Sequence, residues 1–315
     1  MTQPLVNGIA PVTHLGVIRA LGEDAAQFLH GQLTHDFVLL GTQHARLAAF
    51  CTAKGRMLAS FIGFKRGPHE ILLLCDRSLL AATLKRLSMF VLRAKCKLSD
   101  ATADFALHGL AGDAAVQALG GATQPWVKKD DGDASIIALY PAAGQPRALH
   151  VAPAGATPPA GPALDAADWL WSEVASGIAT LSAPVADAFV PQMLNYESVD
   201  GVNFKKGCYP GQEVVARSQF RGTLKRRAYL VHAQQPLAAG MEVFTQEELE
   251  QATGTVVQAA AAPAGGWDAI ISMQTASDGL PLLAHAPLGE GQKADAAQAV
   301  ALQPLPLPYV LRDDI

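Results

Sequence analysis

Asn203-Phe204-Lys205-Lys206-Gly207-Cys208-Tyr209-Pro210-Gly211-Gln212-Glu213-Val214-Val215-Ala216-Arg217 is the most constrained stretch of the chain. Gly207, Pro210 and Gly211 fix an unusual backbone path around a single cysteine. Pro210 suits the first turn of a helix, and Gln212 to Arg217 has helical character. Cys208 then stands just before a helix N-terminus, beside Lys205 and Lys206. Both surroundings favour thiolate over thiol, so a lowered thiol pKa is expected where the group is accessible. A small structural cysteine buried in a glycine turn is the alternative reading.

Charge gives a second signal. From Lys205 to Arg227 there are seven basic residues (Lys205, Lys206, Arg217, Arg221, Lys225, Arg226, Arg227) against Glu213 alone. The stretch carries +6 in a chain whose net charge is −4. A positive stripe in an otherwise acidic protein points to an anionic ligand, whether phosphate, carboxylate or RNA. A solvated face whose cations pair with acids elsewhere is the simpler alternative.

The 315 residues suggest about two domains. Half of them are apolar and 17% charged, enough for a sizeable core and unlike a disordered chain. The overall balance excludes a globally basic nucleic-acid binder. Four scattered cysteines (Cys51, Cys75, Cys96, Cys208) form no disulfide framework, zinc knuckle or local iron–sulfur ligand set. No metal site is expected. The first residues lack the pattern of a signal peptide, and no apolar run approaches a membrane span, so a soluble protein of the reducing cytoplasm is expected. There is no Walker loop, no His-Glu-x-x-His and no Gly-x-Ser-x-Gly elbow.

Strand-like runs at Leu15 to Ala20, Leu47 to Cys51, Met57 to Phe64 and Glu70 to Cys75 precede a helix capped by Asp76. A second helix opens at Gly22-Glu23-Asp24, with acids in its first turn. Lys95 to Leu98 and Asp104 to His108 read as strands again, which predicts an α+β layer of helix on antiparallel sheet. Pro141 to Ala166, with six prolines, reads as a loop interrupted by one strand, Arg147 to Val151. A helix at Ala166 to Ser176 ends at Gly177. Beyond residue 223, six short runs (Ala228 to His232, Glu242 to Phe244, Gly254 to Gln258, Ala269 to Met273, Leu282 to His285, Ala299 to Leu302) predict a small barrel or sandwich.

Lys206-Gly207-Cys208-Tyr209-Pro210-Gly211-Gln212-Glu213 resembles the signature of the YgfZ family, folate-binding proteins of iron–sulfur cluster assembly related to the glycine cleavage T-protein. Gly22 to Asp36, with Gln32, Thr34 and Asp36 at its end, is similar to the family's N-terminal helix and the turn after it. Thr52-Ala-Lys-Gly-Arg-Met57, Phe189 to Asn195 and Phe220 to Arg227 resemble its flanking motifs. The resemblance implies an α+β, T-protein-like, three-part architecture. Residues 1–45 with 100–222 would form a discontinuous folate-binding region, 46–99 a ferredoxin-like unit, and 223–315 a C-terminal β-barrel.

It also implies tetrahydrofolate or a derivative as ligand, in a central apolar cavity edged by Arg and Lys. The binding role falls on Lys206, Gly207, Tyr209, Gly211, Gln212, Glu213, Arg217, Arg221, Gln32, Thr34 and Asp36, and that of reactive thiol on Cys208. Partners would be enzymes or assembly proteins of [4Fe-4S] clusters, including those that thiolate tRNA. Two positions depart from the transferase pattern. Ala59 and Ser60 stand near where an acidic pair is expected, and Ala175 stands in place of a glutamate, with Glu173 two positions away. Without those carboxylates aminomethyl transfer has no evident proton carrier, which points to an accessory factor rather than a glycine-cleavage enzyme. Two alternatives stay open: a one-carbon transferase or demethylase using Asp36 or Glu197, and a tRNA-binding module reading RNA through 205–227.

Overall fold

A computed structural model describes residues 6–220, 224–289 and 292–312. The first third of the chain runs β1 (Gly8–Pro11), β2 (Leu15–Leu21), α1 (Ala25–His30), β3 (Ala45–Cys51), β4 (Met57–Gly67), β5 (Glu70–Asp76), α2 (Arg77–Ser88) and β6 (Lys97–Asp100). Then follow β7 (Phe105–Ala111), α3 (Asp113–Leu119), β8 (Lys128–Asp131), β9 (Ala134–Ala142), β10 (Gln145–Pro153), α4 (Ala166–Ala175) and α5 (Gln212–Phe220). The last third carries the strands β11 (Arg226–Ala233), β12 (Glu242–Thr245), β13 (Gly254–Ala261), β14 (Trp267–Gln274), β15 (Leu282–His285) and β16 (Val300–Leu305), with one 3-10 turn at Thr275–Ser277. Among the described residues no helix is long and apolar enough to cross a membrane.

One antiparallel sheet has the order β3-β4-β5-β2-β6. Its covering helix α2 starts as expected, with the Asp76 carboxylate accepting the Ser78 N–H at 2.8 Å. Leu79, Leu80, Thr83 and Leu87 face the core. The sheet draws β2 from outside the 46–99 segment and holds it between β5 and β6. Five of the seven β2 residues are buried, so this strand needs a neighbour on each side. The acids before α1 also differ from expectation. The helix begins only at Ala25, and Asp24 accepts the backbone N–H of Lys95 at 2.7 Å.

A second sheet has the order β1-β7-β10-β9-β8. Here the proline-rich reading misleads: 141–153 belongs to a β9–β10 hairpin, turned by Ala143 and Gly144 at φ 49° and 74°. Pro146 sits where the register shifts, a place where its missing N–H costs little. The C-terminal strands close a barrel, β11-β14-β13-β12-β15-β16, whose first and last strands pair at Leu230 to His232. Closure leaves the barrel no free edge. All six runs read from sequence lie within or overlap its strands.

Segments far apart in the chain are stitched at Thr34. Its hydroxyl donates to the Gly201 carbonyl at 2.7 Å and accepts the Ala49 N–H of β3 at 2.8 Å. Its own carbonyl accepts the Asn203 N–H at 2.9 Å. Thr34 is fully buried. Thr34→Val keeps the shape and leaves one donor and one acceptor unpaired, so it should cost about 1–3 kcal/mol in urea denaturation. A loss below about 0.5 kcal/mol would show that water replaces the hydroxyl.

Candidate functional site

The signature turn is shaped by close backbone approach. Gly211 has φ +82°, and a Cβ there would lie 2.4 Å from the Thr52 carbonyl oxygen and 2.6 Å from Gly55 Cα. Only glycine fits between this turn and the 52–55 turn joining β3 to β4. Helix α5 starts at Gln212, so Pro210 precedes it instead of lying in its first turn, and Cys208 stands four residues ahead of it.

Lys206 points inward. Its ammonium donates to the carbonyls of His30, at the end of α1, and Leu33 (2.8 Å for the latter), and lies 4.6 Å from the Tyr209 ring centre. A helix C-terminus is a favourable seat for a cation. Burial lowers the Lys206 pKa to about 8, against the pull of Asp36 and Cys208. Cys208 is exposed, while Cys51 and Cys75 are buried and Cys96 half-buried. Burial pushes the Cys51 and Cys75 thiols up to about 12 and that of Cys96 to about 11.

Residues 32–36 pack against this turn. Asp36 accepts from His30 Nδ1 (3.1 Å) and from the Leu39 N–H (2.9 Å). Burial opposes its ionisation, but these donors hold its pKa below the ordinary value. Gln32 is half-buried, and its Oε1 has no hydrogen-bond partner among the described residues. The structure thus brings Lys206, Gly207, Tyr209, Thr34 and Asp36 together around the α1 exit. Gln212 follows in α5, and Glu213 and Arg217 pair with each other at 2.5 Å on its exposed face. Arg221 lies outside the described residues.

Part of the positive stripe is consumed within the fold. Arg227 forms an ion pair with the buried Glu197 at 2.8 Å, which also removes Glu197 as a free carboxylate. Arg226 donates to the Thr253 carbonyl at 3.0 Å, and Lys206 is buried. Among the described residues of the stripe, Lys205 and Lys225 remain as exposed cations without an ion pair. None of the stripe lines the internal cavity described next.

That cavity lies between α4, β9, β10 and the 178–180 segment, lined by Leu15, Trp126, Tyr140, Arg147, Trp169 and Glu173 among others. Its open volume is ≈ 40 Å³. Trp169 Nε1 donates to one Glu173 oxygen at 2.8 Å, and His14 Nε2 meets the other at 2.9 Å. The Arg147 guanidinium stacks 4.5 Å over the Trp169 ring. Its Nε is buried without a partner among the described residues. Burial lowers the Arg147 pKa to about 10, partly offset by Glu173. For His14, burial acts to lower the pKa, but the Glu173 carboxylate outweighs it and the net shift is upward. A larger cleft of ≈ 720 Å³ between α3 and the 153–160 loop is lined mainly by Ala, Gly and Pro, and lacks such convergence of polar groups.

Sequence reading named Glu173 only as displaced from the transferase position, and missed His14, Trp126, Tyr140, Arg147 and Trp169. A signal existed: Trp169 and Glu173 are spaced i, i+4 on one helix face, and Arg147 is a lone charge in an apolar strand. Ala59 is fully buried, and Ser60 accepts the Leu181 N–H at 2.9 Å, so neither supplies an acid.

Two sheets and a closed barrel make up a T-protein-like fold. The chain aligns with the glycine cleavage system aminomethyltransferase T of Bartonella henselae at a TM-score of 0.67, covering 98% of this chain and 87% of that one at 17% identity. No protein-family model matches the chain. Curated relatives narrow the class. The chain is 30% identical over 332 aligned positions to the tRNA-modifying protein YgfZ of Sodalis glossinidius, covering 96% of this chain and 95% of the relative. It is likewise 30% identical to that of Edwardsiella ictaluri, covering 92% and 89%. The chain belongs to the YgfZ family.

Two measurements test this geometry. Iodoacetamide at neutral pH should label Cys208 first, read by peptide mapping; earlier labelling of Cys51, Cys75 or Cys96 would contradict it. The raised His14 pKa gives a signed prediction. Its contribution is fully present below pH 6.5, the unfolded value, and is lost as pH rises through the higher folded value. The stability difference between wild type and His14→Gln should therefore be larger at pH 5.5 than at pH 8.5.

Proposed function

We propose that this protein is a folate-binding accessory factor that supports tRNA modification through assembly or repair of [4Fe-4S] enzymes. The observation that carries the folate part is the chain of half-buried His14, buried Glu173 and buried Trp169 beneath the Arg147 guanidinium. A pterin offers a flat ring and an edge of N–H donors. Glu173 is the acceptor for that edge, while the Arg147–Trp169 stack presents a flat cationic face. The orphaned Arg147 Nε supplies a further donor. The donor set fits a pterin. The ≈ 40 Å³ now open does not, so binding requires the half-buried Tyr140 and Ile178 to yield. The tRNA part rests on the names of the relatives, and the iron–sulfur part on the signature around the exposed Cys208.

A second reading is favoured by the same carboxylate. Glu173 paired with His14 could handle a proton, as one-carbon transfer onto folate requires. Turnover with a methylamine or aminomethyl donor and tetrahydrofolate separates the two: the accessory-factor reading expects none.

Calorimetric titration with tetrahydrofolate tests the main reading. Wild type should bind, and Glu173→Gln should weaken binding by about tenfold or more, the value of a charge-assisted hydrogen bond. Equal affinity of the two would move the ligand elsewhere, and no binding by wild type would reject the folate reading. Cys208→Ser should fold normally yet fail to restore tRNA thiolation in cells lacking their own family member. Full restoration would remove the thiol from the function.

A further inference from the structure

The stretch from Lys85 to Lys97 combines features that the cavity and the signature do not use. It carries Lys85, Arg86, Arg93, Lys95 and Lys97 and no acidic residue. All five cations are exposed. Lys95 pairs with Glu23 at 2.8 Å, whereas Lys85, Arg86, Arg93 and Lys97 have no ion-pair partner among the described residues. Between them, at the exit of α2, stand Met89, Phe90 and Leu92, exposed by 68%, 44% and 86%. Leu21, also exposed, lies across the ladder from Lys97.

The tip is built to hold this shape. Met89, Phe90 and Val91 N–H groups donate to the carbonyls of Arg86, Leu87 and Ser88. Asp24 fastens the far side, accepting the Lys95 N–H and donating its own N–H to the Lys95 carbonyl. A preorganised apolar tip loses little entropy on binding.

We propose that the 85–97 tip docks RNA, with Lys85, Arg86, Arg93 and Lys97 on phosphates and the Met89–Phe90–Leu92 wedge against bases. Charge complementarity requires a polyanion. Lysine is depleted in protein–protein interfaces, yet here it supplies part of the rim, as phosphate contacts do. Single apolar side chains raised between cations match the wedges that nucleic-acid binders insert between base steps. At 205–227, Lys206, Arg226 and Arg227 are bonded within the fold and Arg217 is paired with Glu213, whereas four of the five cations here have no ion-pair partner among the described residues. The proposal goes beyond the folate reading and can stand or fall without it.

The test uses the full chain and bulk tRNA, with binding read by fluorescence anisotropy at 50 and 200 mM salt. Four phosphate contacts predict a fall in affinity of about 50- to 150-fold over that range. Lys85→Glu/Arg86→Glu/Arg93→Glu/Lys97→Glu should lose binding by more than tenfold and flatten the salt dependence. Met89→Ser/Leu92→Ser should weaken binding with the salt slope unchanged, which keeps the idea testable if the charge variant misfolds. Lys205→Glu/Lys225→Glu should bind as wild type does. Equal loss in that variant, or no tRNA binding by wild type, would overturn the proposal. So would tip-dependent binding to polyglutamate or to phosphatidylglycerol vesicles in place of tRNA; either result would assign the tip to an acidic protein or to a lipid surface.

Discussion

The ammonium of Lys206, seated on the carbonyls of His30 and Leu33, is the interaction on which the candidate site depends. A buried cation needs either a carboxylate or several oriented dipoles, and here the C-terminal end of α1 and the face of Tyr209 provide the dipoles. The consequence is geometric. With Lys206 turned inward, the neighbouring Gly207 and Cys208 turn outward, and the exit of α1 is tied to a segment more than 170 positions later in the chain. The 32–36 segment is clamped in between by Thr34, and Asp36 is left ionised beside it. Gly211, wedged against the 52–55 turn, prevents the whole arrangement from sliding along β3 and β4.

Helix α4 plays the complementary part for the interior. Its two buried tryptophans face different neighbours. Trp169 reaches Glu173 and the cavity, lying so close to β7 that a Cβ on Gly109 would fall 2.2 Å from its ring. Trp171 donates to Asp268 of the barrel at 2.6 Å, and Asp268 in turn meets His232 of β11 at 2.8 Å. A single helix thus links the cavity to the barrel. A second link runs through Asn195, whose side chain both donates to and accepts from the backbone of Ala228.

Much of this was legible in the sequence, and the failures have physical causes. Barrel strands show in a pattern of short apolar runs between turn residues because each strand has one buried face. The signature shows because close backbone approach demands glycine at particular places. Charge pairing does not show: nothing local tells that Arg227 meets Glu197, or that Lys206 needs no acid at all. The place of β2 is hidden for a related reason, since it joins the sheet of β3 to β6 from a different part of the chain. The cavity was nearly invisible, because His14, Trp126, Arg147 and Glu173 come from four separate segments of the chain and acquire meaning only when the sheets bring them together.

Of the chain's four tryptophans, Trp126 and Trp169 line the cavity, Trp171 braces the barrel, and Trp267 is half-buried at the start of β14. In a protein with so few aromatic residues, near-ultraviolet absorption and emission come largely from these buried indoles. One of them rests under a guanidinium and shares a carboxylate with a histidine. The interior thus carries its own optical probe: Trp126 and Trp169 report the polarity of the cavity wall, and Trp171 the contact with the barrel.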